Sequence, residues 1–223
     1  VQRRGRTSSV SRARGRPVGA DSARTRKLIV RAAREVVNER GYSGMTFQAI
    51  AKRTELSRPT LHYYFATRDE VFEALLDEAR DLIEHCAGRS LRSDTLLERL
   101  SAFVAAVGEV DARDPSIMPF LISARLEWGR NPELQSVTAS PVQHFLMRLV
   151  SDAVRRDELA PDTDCDAVVD MLHVILYGMA FYAGYTGGGS ELTTIAKQLI
   201  ELFAHGLVTE NPDGRRTGSA QPR

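Results

Sequence analysis

Residues 41–72 read GYSGMTFQAIAKRTELSRPTLHYYFATRDEVF, and this stretch decides the fold. Thr46 can cap a short helix in which Phe47, Ile50 and Ala51 share one face. Ser57 can cap a second one, with Pro59 tolerated in its first turn because the amides there have no intrahelical partners. Leu61 and Phe65 anchor that second helix to a core and leave its first turn polar. Two short helices across a tight turn, followed by a basic residue, are the layout of a helix-turn-helix whose second helix enters the DNA major groove. The stretch predicts DNA binding.

Charge is distributed to match. Residues 1–68 hold 16 Lys and Arg against 4 Asp and Glu, while residues 69–223 hold 14 against 25. The formal net charge of +1 conceals one end suited to phosphates and an acidic remainder.

Outward from the central stretch, residues 1–20 are Gly, Ser, Pro and Arg with little apolar content, which predicts a disordered basic arm. A helix is expected from Asp21 or Ser22, with Leu28, Ile29, Ala32, Ala33, Val36 and Val37 at helical spacing and Gly41 as its stop. Thr67-Arg68-Asp69-Glu70 has capping-box spacing and opens a helix bearing Val71, Phe72, Leu75, Leu82, Ile83 and Cys86 on one face. Beyond Ser90 the periodicity stays helical, near 94–111, 116–129, 141–157, 164–185 and 190–206. The predicted fold is all-α, with a helix-turn-helix domain over 21–67, a helical effector-binding and dimerisation domain over 68–208 and a flexible tail over 209–223.

Chemistry assigns roles within the DNA-binding end. Arg58 can donate two hydrogen bonds to guanine O6 and N7, while the Pro59 ring and Thr60 methyl can touch a thymine methyl. His62 and Tyr63, a turn further on, can reach phosphates, and Arg68 with the amides opening the next helix offers another phosphate clamp. Thr46, Ser57 and Tyr64 complete the set expected at DNA. Arg14-Gly15-Arg16-Pro17 suits a narrow minor groove, Arg14 and Arg16 entering its negative potential; the alternative is a solvated basic tail that adds affinity alone.

Elsewhere the signals are apolar. Val168–Ala183 is apolar almost all round, and the next helix presents Ile195, Leu199, Leu202 and Phe203. Two such helices from each of two chains would form an isologous interface, with Met171, Ile175 and Met179 contributing; the competing reading is a core within one chain. Phe103, Val107, Phe120, Leu121, Trp128, Phe145 and Tyr177 could line a ligand cavity, with Arg125, His144 and His173 as polar contacts; a filled core is the blander alternative.

No catalytic constellation, phosphate loop or dinucleotide fingerprint appears, and the histidines form no ligand pair, so no enzyme, cofactor or metal is expected. Val174–Gly184, the longest apolar run, is too short to span a membrane, so no membrane partner is expected. Cys86 and Cys165 lack metal-like spacing and fit a reducing cytoplasm, where a DNA-binding chain would associate with the nucleoid.

Gly41-Tyr42, Thr46, Ile50-Ala51, Leu56-Ser57, Thr60-Leu61, Tyr63, Phe65, Arg68-Asp69 and Val71 resemble the N-terminal signature of the TetR family of bacterial regulators. The resemblance covers roughly residues 24–76. It implies three DNA-domain helices, a linker helix and a C-terminal bundle that binds a small molecule and dimerises through its last two helices. This chain departs from the pattern at Glu55 for a turn glycine, at His62 for a tyrosine, at Tyr64 for a histidine and at Arg68 for a lysine. The function expected is a homodimeric repressor that reads a palindromic operator in double-stranded DNA and is released by a small-molecule effector. The alternative is a constitutive architectural DNA-binding protein whose bundle only dimerises.

Overall fold

The computed structural model describes residues 18–130, 140–186 and 189–205, and among these it contains nine α-helices, one π-helical turn and no strand. The helices are α1 (Val18–Gly44), α2 (Phe47–Thr54), α3 (Arg58–Tyr64), α4 (Arg68–Ser90) and α5 (Leu96–Arg113). There follow α6 (Ile117–Arg130), α7 (Pro141–Arg155), α8 (Cys165–Phe181), the π turn (Tyr182–Thr186) and α9 (Gly189–His205). The chain divides into two compact units at Leu76–Asp77, so α4 contributes to both.

The first unit is built by local rules. The first helix begins at Val18 rather than at Asp21, which shortens the expected arm. Ala20 favours helix, and Asp21 sits in the first turn where the helix dipole favours an acid. Gly41, at φ 69° and ψ 178°, breaks the run as its position predicts, in a backbone state essentially confined to glycine that costs other residues about 1–3 kcal/mol. Ile29, Ala33, Val36 and Val37 of α1 are buried, as are Met45, Ile50, Leu61, Phe65, Val71, Phe72 and Leu75. Arg53 of α2 reaches back to α1, with Nη2 at 2.6 and 2.7 Å from the two Glu39 oxygens and Nη1 at 3.4 Å from Glu35. The pair is largely exposed, so it contributes at most about 1 kcal/mol and serves to orient α2.

The second unit packs α5 against α9, and α8 against both α6 and α7. Its main core joins Ile83 and Cys86 of α4 to Leu100 and Phe103 of α5, Phe145, Leu146, Leu149 and Val150 of α7, and Val169 and Leu172 of α8. A smaller cluster centres on Met179 and Ala196, with Ile175, Ile195 and Leu199 packed against it. Thr95 and Glu98 form a complete capping box at the start of α5. Beside it, Arg99 pairs with Asp152 of α7 and donates to the Ser93 carbonyl at 2.7 Å. Gly184 lets the π turn approach α6, since a Cβ there would lie 3.0 Å from the Pro119 nitrogen.

Burial of α8 departs from the all-round burial its composition predicts. Val169, Leu172 and Met179 face inward, whereas Val174 is 72% exposed and Phe181 50% exposed. The helical stretch Cys165–Tyr185 has 21 residues and a most apolar window of mean hydropathy 1.5, of which 17% is buried within the chain. By length and composition alone it could cross a membrane, which the shorter apolar run Val174–Gly184 does not reveal.

Candidate nucleic-acid interface and bundle cavity

The reading helix is held by its caps. Thr46 Oγ1 accepts from the Ala49 amide at 3.1 Å and starts α2; Ser57 Oγ accepts from the Thr60 amide at 3.2 Å and starts α3. The Ser57 and Thr60 hydroxyls also pair, at 2.8 Å. Both capping residues are thus engaged in starting helices, which leaves the exposed Arg58, Pro59, His62 and Tyr63 as the outward groups of α3. Tyr63 is 80% exposed and meets the half-buried Tyr64 edge to face at 5.1 Å. The His62 ring lies 4.4 Å from that of Phe47, which steadies it against α2.

Arg58 does not stand alone. Its Nη2 donates to Gln48 Oε1 of α2 at 2.9 Å, so a neighbouring amide fixes the fork of the guanidinium. Gln48 escaped the sequence reading because nothing in a single sequence tells which α2 side chain faces α3; its place one residue past the N-cap pair Thr46-Phe47 was the available clue.

Between α2 and α3 the backbone turns through Glu55, at φ 59° and ψ 17°. A left-handed residue other than glycine carries about 1 kcal/mol of strain. Glu55→Gly should therefore raise stability by about 1 kcal/mol, read as a higher denaturant midpoint at unchanged slope. A lower midpoint would mean that the Glu55 side chain, not the backbone, dominates at this turn.

At the start of α4 the expected capping box forms with one variation. The Glu70 amide donates to Thr67 Oγ1 at 3.1 Å, while the Glu70 carboxylate accepts from the Ala66 amide, at 2.8 Å, rather than from that of Thr67. One amide of the expected phosphate clamp, that of Glu70, is thus already engaged. The Arg68 guanidinium lies 4.2 Å above the Tyr42 ring, and the Tyr42 hydroxyl donates to Asp69 at 2.5 Å. Burial, with the Asp69 bond second, pushes the Tyr42 hydroxyl up from its usual value, so it stays a donor. Arg14 and Arg16 lie outside the described residues.

The second unit contains a partly open cavity of about 80 Å³. Of the residues expected there, Phe103, Val107, Leu121 and Tyr177 line it. Phe120 and Phe145 are instead buried in the packing, Phe145 stacked on Phe103 at 4.5 Å, while Arg125 and His144 are exposed. His173 meets Tyr177 edge to face at 4.8 Å but is not on the wall; burial, then the Arg125 charge, lowers its pKa and keeps it neutral. The Trp128 side chain is outside the described ones. Asp111, Met118, Val142 and Leu176 line the wall without having been expected there.

Of the residues expected at a dimer interface, Met171 and Phe203 are exposed. Met179 is buried and on the cavity wall, and Ile175, Ile195 and Leu199 pack on the inner cluster; Leu202 is half-buried. The exposed apolar side chains run instead through Met171, Val174 and Phe181 of α8 and on to Tyr182 and Tyr185 of the π turn.

A capped pair of short helices presenting arginine, proline and tyrosine from a basic unit defines a helix-turn-helix DNA-binding protein of the all-α class. Residues 29–75 match the family model described as bacterial regulatory proteins, tetR family. The chain is 21% identical over 158 residues to the HTH-type transcriptional regulator UidR of Escherichia coli strain K12, covering 70% of this chain and 79% of that protein. It is 26% identical over 171 residues to the HTH-type transcriptional repressor BepR of Brucella suis biovar 1, covering 71% and 80%. In structure it is similar to FadR from Bacillus subtilis, solved in complex with stearoyl-CoA, with a TM-score of 0.67, 18% identity and coverage of 82% of this chain and 99% of that one. Residues 29–75 thus match the DNA-binding region of the TetR family, and the chain is similar to DNA-binding transcriptional regulators.

Proposed function

We propose that this regulator is a homodimeric, effector-released repressor that reads a palindromic operator through α3. The observation that carries the reading is the Ser57-capped α3 with Arg58 held at its exposed start by Gln48. Arg58, Pro59 and Thr60 read base edges, while His62, Tyr63, Tyr64 and Arg68 hold phosphates. Thr46 and Ser57 act at the DNA by placing these groups. Two reading helices about 34 Å apart would fit successive major-groove faces.

Dimerisation is supported by the exposed apolar side chains Met171, Val174 and Phe181 of α8, joined by Phe203 of α9. Effector control is supported by the cavity, whose wall includes Ile83 of α4, the helix that also carries Val71, Phe72 and Leu75 into the core of the first unit. A ligand that favours one arrangement of the dimer by about 1–3 kcal/mol would weaken operator binding 5–150-fold. Such a protein acts in the cytoplasm, on the nucleoid.

Genomic footprinting of the full chain tests the reading. The expected product is an inverted repeat with half-sites one helical turn apart, near genes whose products handle the effector. Occupancy without a palindrome, unchanged across a ligand panel, would favour an architectural protein instead.

The basic arm supplies a separate prediction. Cutting before Val18 removes six arginines and leaves α1 intact. If half of them meet phosphates on each subunit, the slope of log K against log[salt] becomes shallower by about 5. An unchanged slope would place the arm in solvent. A loss confined to A·T-flanked operators would assign Arg14 and Arg16 to the minor groove.

A further inference from the structure

The bundle cavity holds one carboxyl group in a wall that is apolar but for it and the Tyr177 hydroxyl. Asp111 shares the inward face of α5 with Val104, Val107 and Gly108, and it stands across from Met118 and Leu121. The Met118 amide acts on this carboxyl in the opposite sense to burial, favouring its ionised form. Among the described residues no ion pair forms at Asp111; Arg89 of α4 and Arg113 of α5 instead pair with Glu109, at 2.8 and 4.0 Å. Arg125 is exposed and off the wall, and the other polar group of the wall, the Tyr177 hydroxyl, is already paired with the Ser140 side chain.

An ionised carboxylate against apolar surface, without a counter-charge, is destabilising, and a cation brought by a ligand would remove that penalty. Burial, reinforced by Asp114, indeed pushes the Asp111 carboxyl up from its ordinary value. An anionic ligand would meet Asp111 with no cation on the wall to offset it. We propose that the cavity takes a small lipophilic amine, its apolar part against Phe103, Val107 and Leu121 and its ammonium group on the Asp111 carboxylate. This assignment rests on reading the cavity as the effector site.

Hexylamine, hexanol and hexanoate share one alkyl chain and differ in the head group, so calorimetric titration of the full chain with each isolates the charge. Hexylamine should bind at least about tenfold more tightly than hexanol, the scale of a hydrogen bond to a charged group, and hexanoate should bind weakest. Asp111→Asn keeps the side-chain size and should bring hexylamine to the level of hexanol while leaving hexanol unchanged. Gly108→Leu, at a position where a Cβ meets nothing within 4 Å, should fill the space and weaken all three.

Equal binding of the three ligands, amine binding that survives Asp111→Asn, or no binding at all would overturn the amine assignment. Binding untouched by Gly108→Leu, with helicity intact by circular dichroism, would overturn it too by placing the site elsewhere. Amine binding lost in both variants but without effect on operator affinity would uphold the ligand class and remove the effector role instead.

Discussion

Replacing Val174 and Phe181 together with glutamate will yield a folded monomer that no longer holds its operator. The two side chains are 72% and 50% exposed and lie two turns apart on the outward face of α8. Within one chain they bury little, so the substitutions cost its fold little. In a dimer built on this face, each charge would be desolvated without a partner, at several kcal/mol per subunit. Sedimentation should show the monomer, circular dichroism should show unchanged helicity, and operator affinity should fall at least about a hundredfold because each half-site keeps only its own contacts. Leu199 would be a poorer choice, because it packs on the inner cluster of Met179 and Ala196 and its replacement would strain the chain itself. A dimer that survives both glutamates would place the interface on another face, and a folded wild-type monomer would sink the palindrome model.

The DNA-binding end was legible because its determinants are local. Thr46, Ser57 and Thr67 each lie three residues before the amide they cap, a spacing that reads directly from sequence. Gly41 is where the chain needs φ 69°, and it is the residue that tolerates it. Glu55 is the exception: it stands where the resembled pattern has a turn glycine, and the backbone still adopts a positive φ there, 59°. The Arg58–Gln48 bond was not legible, since it depends on how α2 crosses α3 rather than on either helix alone.

In the second unit, helix positions were legible to within a few residues, but their inward faces were not. Periodicity gives a face, and only the neighbouring helices decide whether a second copy or the chain itself covers it. On α8, composition is apolar on nearly every side, so Met179 and Val174 read alike although one is buried and the other exposed. On α5 the missed residue had a signal. Val104, Val107, Gly108 and Asp111 follow the i, i+3, i+4, i+7 rule, which puts the carboxyl on the cavity face. Glu109 and Arg113 beside it face solvent instead.

Arg58→Ala should cost about 1–3 kcal/mol at each half-site, hence about 2–6 kcal/mol for a palindrome read twice by independent heads. The cause is the loss of a planar fork whose two parallel donors match guanine O6 and N7. Arg58→Lys separates that fork from its charge: it should keep most of the affinity for random DNA while losing discrimination at one symmetric base pair. Gln48→Ala should fall between the two, because it removes the 2.9 Å restraint on the guanidinium and not the guanidinium itself. Competition titrations on operators altered at single symmetric positions would resolve the three. An equal loss on operator and random DNA would make Arg58 a phosphate contact, and base selection would then fall to Pro59, Thr60 and their neighbours on the same exposed turn.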